Sequence, residues 1–138
     1  MDQNRLALLA LHFVPGIGDF LIRQLVSYCG SAEEVFQLPK GKLLKIPNVG
    51  ETTIKALQSG DPFRDAEEEI RKAEKQDTQI LFYLDQNYPQ RLKPFDDSPT
   101  LLYVKGNINL NTAKTVGIVG TRQATSYGKE MVEQLMKD

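Results

Sequence analysis

Residues 115–129 read TVGIVGTRQATSYGK, and the parsing of this stretch decides the fold. Thr115 to Val119 is a short apolar run, as a buried strand requires, and it leads straight into Gly120. A polar turn follows. A helix is expected from about Ser126, with Thr125 or Ser126 as its cap and Tyr127, Met131 and Leu135 facing inward. Strand, turn and helix in that order point backbone amides at an anion. Arg122 adds a guanidinium whose planar fork matches two phosphate oxygens at once. Gly117, Gly120 and Gly128 lack the spacing of a dinucleotide fingerprint, and no Gly-Lys-Ser/Thr sequence is present, so nucleotide hydrolysis loses its main support.

Upstream of this stretch, Gln79 to Leu84 and Thr100 to Val104 are two more short apolar runs bounded by turn residues, and both read as buried strands. Phe82, Tyr83 and Tyr103 lie on them, where core packing outweighs base stacking as the default role. The loop between the runs is punctuated by proline. Within it, Tyr88-Pro-Gln-Arg-Leu92 reads as a turn, with Arg91 free to face a carboxylate or a phosphate and a structural role favoured.

Before Asp77 the apolar spacing is helical. Leu6, Leu9 and Phe13, with Leu8 beside them, make one face, and Asp2 or Asn4 supplies a cap. Phe20, Leu21, Leu25 and Tyr28 make the next, ended by Gly30. Ser31 and Glu34 have capping-box spacing ahead of a short helix through Phe36. Lys42 to Gln58 reads as a further pair of helices. Asp61-Pro62 starts the last helix of this part, with Phe63, Ala66, Ile70 and Ala73 as its apolar stripe. Glu67 with Arg71 and Glu68 with Lys72 are spaced as helical ion pairs along it.

Two helix–hairpin–helix turns stand out in this part, Val14-Pro-Gly-Ile-Gly18 and Ile46-Pro-Asn-Val-Gly50. Gly16 and Asn48 supply positive φ, and Gly18 and Gly50 open the following helices, where amides can meet phosphate without reading base sequence. Lys40, Lys42, Lys45 and Lys55 surround the second turn. Gly16, Gly18, Asn48, Gly50, Lys45 and Lys55 are therefore the hairpin candidates for phosphate contact, against the alternative that such turns only pack two helices.

Composition narrows the chemistry. The net charge of −1 gives no global attraction to a polyanion, so any DNA site is a local patch. The negative excess falls between Asp61 and Asp77, seven acids against four bases, read as a solvated helix surface, while residues 1–60 and 78–138 are each slightly positive. One cysteine, Cys29, cannot form an internal disulfide, and one histidine, His12, leaves almost no material for a zinc site or a histidine-based triad, so no metal, cofactor or catalytic residue is assigned. His12 reads as a helix-end residue and Cys29 as a structural thiol. No run approaches membrane-spanning length, and MDQNRLALLALHF lacks a basic leader and a cleavage site, so a cytoplasmic location with no membrane partner is expected.

The IVGTR…SYG pattern at Ile118 to Gly128 resembles the entry to the Rossmann-like domain of the DNA-processing protein A (DprA/Smf) family. The Pro15-Gly-Ile-Gly18 hairpin, Asp85-Gln-Asn-Tyr-Pro-Gln-Arg-Leu92 and Ser98-Pro-Thr-Leu-Leu-Tyr-Val-Lys-Gly106 agree in order. The resemblance implies a non-enzymatic, sequence-independent single-stranded DNA binder that dimerises and helps load a RecA-type recombinase in natural transformation and competence. It also implies an anion pocket to which Gly120, Thr121, Arg122, Ser126 and Gly128 contribute, with Lys129 beside them and Arg122 foremost.

The expected fold is thus mixed α and α/β. Residues 1–77 form a helical helix–hairpin–helix or SAM-like domain, and residues 78–138 the truncated start of a Rossmann-like parallel sheet. With the sequence ending at Asp138, later βα units of such a sheet are missing, so an exposed apolar surface is expected. Two rival readings remain: a nucleotide-phosphate-binding Rossmann enzyme fragment, for instance lysine-decarboxylase-like, and a protein-interaction module acting through residues 1–77.

Overall fold

The computed structural model describes residues 2–137. Six helices come first: α1 (Gln3–His12), α2 (Asp19–Cys29), α3 (Ala32–Gln37), α4 (Lys40–Leu43), α5 (Glu51–Leu57) and α6 (Pro62–Lys75). Strands β1 (Thr78–Phe82) and β2 (Leu101–Lys105) follow, then α7 (Ser126–Leu135).

Local chemistry sets most of these boundaries. Asp2 caps α1 by accepting from the Arg5 amide at 2.8 Å. Asp61 caps α6 by accepting from the Arg64 amide at 3.1 Å, with Pro62 in the first turn, where a missing N–H costs nothing. Ser31 accepts from the Glu34 amide at 3.1 Å, one half of the expected capping box. The rest of the α3 start is capped from a distance: Asn4, on α1, accepts from the amides of Ala32 at 2.9 Å and Glu33 at 3.4 Å.

The two hairpin turns are built alike. Val14 and Ile46 each accept from the amide three residues on, at 3.2 Å in both turns. Proline precedes the positive-φ residue each time, Gly16 at 79° and Asn48 at 61°. Proline then glycine or asparagine at the two central positions is the pattern of a type II turn. Gly18 and Gly50 are then extended N-caps with no side-chain cap.

α1 is the centre of the fold rather than a helix with one apolar face. Ala7, Leu8, Leu9, Ala10 and Leu11 are all buried, which requires neighbours on every side of the helix. α2, α3 and α6 supply them. α2 buries Ile22, Leu25 and Val26, so the expected face is rotated: Phe20 and Tyr28 lie outside, 52% and 61% exposed. Phe13 also faces out. On α6 the expected stripe is correct, with Ala66 and Ala73 buried and Phe63 and Ile70 packed partly against the core. The expected Glu67–Arg71 and Glu68–Lys72 pairs do not form among the described residues; Lys72 instead lies 3.8 Å from Glu69.

β1 and β2 pair antiparallel, Thr78 opposite Lys105 through Phe82 opposite Leu101. The described residues therefore contain no parallel pairing. A parallel partner needs a covering crossover, and only a loop of turns joins these strands. The sheet rests on the helices: Phe82 belongs to the same buried cluster as α1, and Ile80, Tyr83 and Leu101 pack against it.

The expected third strand, Thr115 to Val119, is absent. These residues are exposed and bonded to no neighbouring strand, and an extended segment cannot satisfy its amides within itself. α7 likewise buries none of its residues; Tyr127, Met131 and Leu135, expected to face inward, are exposed.

Candidate nucleic-acid interface

The Gly120–Lys129 turn is open on all sides except for its own short-range bonds. Thr121 Oγ1 donates to the Gln123 carbonyl at 2.9 Å, which closes the polar turn around Arg122. Arg122 is exposed, with no hydrogen bond or ion pair among the described residues, so its guanidinium is unspent. A Cβ built on Gly120 would meet nothing within 4 Å, leaving its backbone approachable.

Thr125 is the cap of α7, accepting from the Gly128 amide at 3.1 Å. That bond removes Gly128 from the amides free to meet an anion. Ser126 and the following residue keep theirs, because the first helical bond back to Thr125 comes from Lys129. An acceptor-rich ligand would therefore meet Arg122, the first-turn amides at Ser126 and, one turn on, the exposed Lys129.

The hairpin candidates divide. At the first turn Gly16 and Gly18 are exposed, but the Asp19 carboxylate occupies the start of α2 and is committed elsewhere. Asp19 Oδ1 accepts from the Thr100 amide at 2.6 Å and from its hydroxyl at 2.7 Å. That hydroxyl has one proton, given to Asp19, so it accepts from His12 Nε2 at 2.8 Å, and His12 carries a proton on Nε2. Burial pushes the His12 pKa down, and the Asp19 charge only partly offsets this. A carboxylate at this turn repels phosphate. At the second turn Asn48, Gly50, Lys45 and Lys55 are all exposed, and Lys40 is neutralised by Glu51 at 2.5 Å. Asn48 Nδ2 donates to Gln24 Oε1 at 3.3 Å, which seats this turn against α2.

No hydrogen bond or ion pair among the described residues links residues 116–137 to the hairpins. The two sets of candidates are thus not joined into one site. Between them lies a clasp that local sequence patterns did not announce. Arg91 donates to the Ala113 carbonyl at 2.9 Å and to the Thr115 hydroxyl, a structural role, as its turn context suggested. Asn111 accepts from the Gln90 amide at 2.7 Å and donates to the carbonyls of Asn87 and Tyr88. Tyr88 is fully buried, its hydroxyl donating to the Pro99 carbonyl at 2.5 Å.

The strand aromatics take mixed roles. Phe82 is core, whereas Tyr103 is half exposed and donates to Glu69 at 2.8 Å. Burial, then that hydrogen bond and the Glu69 charge, push the Tyr103 pKa up to about 12. Cys29 is half-buried, and burial followed by the Glu34 charge raises its pKa, away from reactivity. Among the described residues no cluster of His, Cys, Asp and Glu could hold a metal ion, and no helix is long and apolar enough to cross a membrane.

Residues 79–138 match the family described as DNA recombination-mediator protein A. Two curated relatives, both titled DNA processing protein DprA, agree. The one from Bacillus subtilis is 44% identical over 52 residues, 37% of this chain and 18% of that protein. The one from Streptococcus pneumoniae is 37% identical over 54 residues, 39% of this chain and 19% of that protein. Through residues 79–138 the chain is similar to the DprA family. The aligned part is under a fifth of either DprA relative's length, and no solved structure matches. The match includes β1 from Gln79 on, β2, the Arg91 clasp and the whole Gly120–Lys129 turn, and leaves the helices before Gln79 outside it.

Proposed function

We propose that this chain serves DNA recombination by binding single-stranded DNA through its phosphates, without reading base sequence, and that the DprA protein it represents passes the strand to a RecA-type recombinase, working as a homodimer. The carrying observation is Arg122: an exposed, unpaired guanidinium between an open glycine and the uncapped first amides of α7, inside the segment that matches the family. Gly120, Thr121, Ser126, Gly128 and Lys129 frame the same anion site, with Gly128 fixing the Thr125 cap rather than offering its amide. Asn48, Gly50, Lys45 and Lys55 at the second hairpin add a basic contact, which Gly16 and Gly18 match less well because Asp19 stands beside them. The site calls for no catalytic residue and no cofactor.

Phosphate contacts release counterions, so affinity for a labelled oligothymidylate, read by fluorescence anisotropy, should fall steeply with salt and be matched by mixed-sequence strands. Arg122→Ala should weaken all strands alike and make the log–log salt slope shallower by roughly 0.7 to 1. Salt-independent binding, or micromolar binding of ATP or a nucleoside monophosphate with no strand binding, would overturn the reading in favour of a nucleotide site.

A further inference from the structure

Phe20 and Tyr28 fit an apolar helical face in the sequence, yet both stand in solvent. They are eight residues apart on α2, with Gln24 midway, so all three share one face and the backbone positions of Phe20 and Tyr28 lie about 12 Å apart along the axis. Between them is a pocket of about 280 Å³ lined by Phe20, Arg23, Gln24, Ser27, Tyr28 and Asp96. Its floor is rigid. Arg23 Nη2 donates to the Ser98 hydroxyl at 2.6 Å and its carbonyl at 3.2 Å, and the guanidinium lies 4.5 Å from the Tyr83 ring centre. Arg23 Nε is also the one buried side-chain nitrogen or oxygen without a partner among the described residues, so a donor is left unspent on a residue that lines the pocket.

The surroundings select the occupant. Asn48 bonds to Gln24 and brings the second hairpin to the edge of this face. That hairpin carries Lys42 and Lys45, exposed and in no ion pair among the described residues. A cationic edge beside two rings suits a strand whose phosphates follow the lysines while its bases turn onto the aromatics. Gln24, Ser27 and the acceptor-only Asp96 carboxylate supply an edge for base amino and carbonyl groups.

We propose that the outward face of α2, formed by Phe20, Gln24 and Tyr28 with Asp96 at its rim, is a stacking platform for one or two unpaired bases of single-stranded DNA. It rests on the reading of the chain as a single-strand binder and adds a contact made through bases rather than phosphates. Stacking releases no counterions, which makes this contact separable from that of Arg122.

The test uses the full chain and oligothymidylate carrying 5-iododeoxyuridine. Ultraviolet irradiation should cross-link the strand to the peptide containing Phe20 or Tyr28. Phe20→Ala/Tyr28→Ala should lose about tenfold or more in strand affinity, as removal of base-stacking rings does, with the salt slope unchanged. Both rings are exposed, so the thermal midpoint should hold, and Phe20→Trp/Tyr28→Trp should retain affinity. Unchanged affinity in the double alanine variant, alongside weakened binding by Arg122→Ala, overturns the platform and leaves the proposed function standing. A shallower salt slope in the double alanine variant also overturns it, since the face would then act on phosphates. Self-association abolished by the double alanine variant with strand affinity intact assigns the face to protein and overturns it as well. If the chain binds no single strand under any salt condition, both readings fall together.

Discussion

Residues 2–105 and residues 106–137 solve the same problem with opposite success. In the first region helices and strands are tied by side chains that reach across some 75 to 88 positions of chain: Arg5 to Asp85, Arg23 to Ser98, and His12 and Asp19 to Thr100. Beneath these ties lies one apolar cluster that includes Leu9 and Phe82. In the second region Val116 and Val119 are 88% and 98% exposed, and α7 buries nothing. Both regions contain good local signals, including well-formed caps at Asp61 and Thr125. A cap and an apolar period specify a helix, but only a second surface gives its apolar face somewhere to go.

The sharpest way to break this contrast is to truncate an apolar side chain in each region. Leu9→Ala should cost roughly 2–5 kcal/mol of unfolding free energy, as deletion of fully buried leucines does. Ile118→Ala should stay within about 0.5 kcal/mol, as exposed substitutions do. Urea unfolding followed by far-ultraviolet circular dichroism checks both, and equal costs would show that residues 116–119 share the core.

A smaller effect probes the polar tie. Thr100→Val removes a hydroxyl that serves Asp19 and His12 together, and should cost about 1–3 kcal/mol because both partners lose a buried bond. Chemical denaturation against the unmodified chain reads it directly. A neutral result would mean that apolar packing alone holds the strands to the helices.

The smallest effect is a pH dependence. Burial lowers the His12 pKa in the folded chain, so between that value and the ordinary 6.5 the unfolded chain binds the extra proton. The stability contributed by keeping His12 neutral is complete above pH 6.5 and is lost as pH falls through the lowered value. Thermal midpoints from pH 7.5 to 5 should fall more for the unmodified chain than for His12→Gln. Parallel curves would place His12 in solvent and weaken the Thr100 tie.

How far these features were legible depends on their range. The two hairpin turns, the Asp61-Pro62 start, the Thr125 cap and the change from helix to strand after Asp77 could all be read from residues a few places apart, because proline, glycine, asparagine and capping side chains act on their own backbone. The candidate anion turn was legible for the same reason, and the clasp made by Arg91 and Asn111 was not. Nothing in the spacing of Asn4 shows that it caps α3, and nothing in Thr100 shows that it answers Asp19. Phe20 and Tyr28 mislead a periodicity argument because they fall at helical spacing with Leu21 and Leu25, as core residues do. Which side of α2 is inside depends on where α1 lies.

By itself, then, the sequence determined the turns, the caps, the kinds of element and the segment that marks the family, all of them consequences of contacts within a few residues. Tertiary structure alone decided that α1 is surrounded, that β1 and β2 run antiparallel on the helices, that Thr115 to Val119 stays unpaired, and that α2 turns two aromatic rings to solvent. The physical reason is that burial and strand pairing are properties of a neighbour's surface, and a neighbour distant in sequence leaves no local pattern to read.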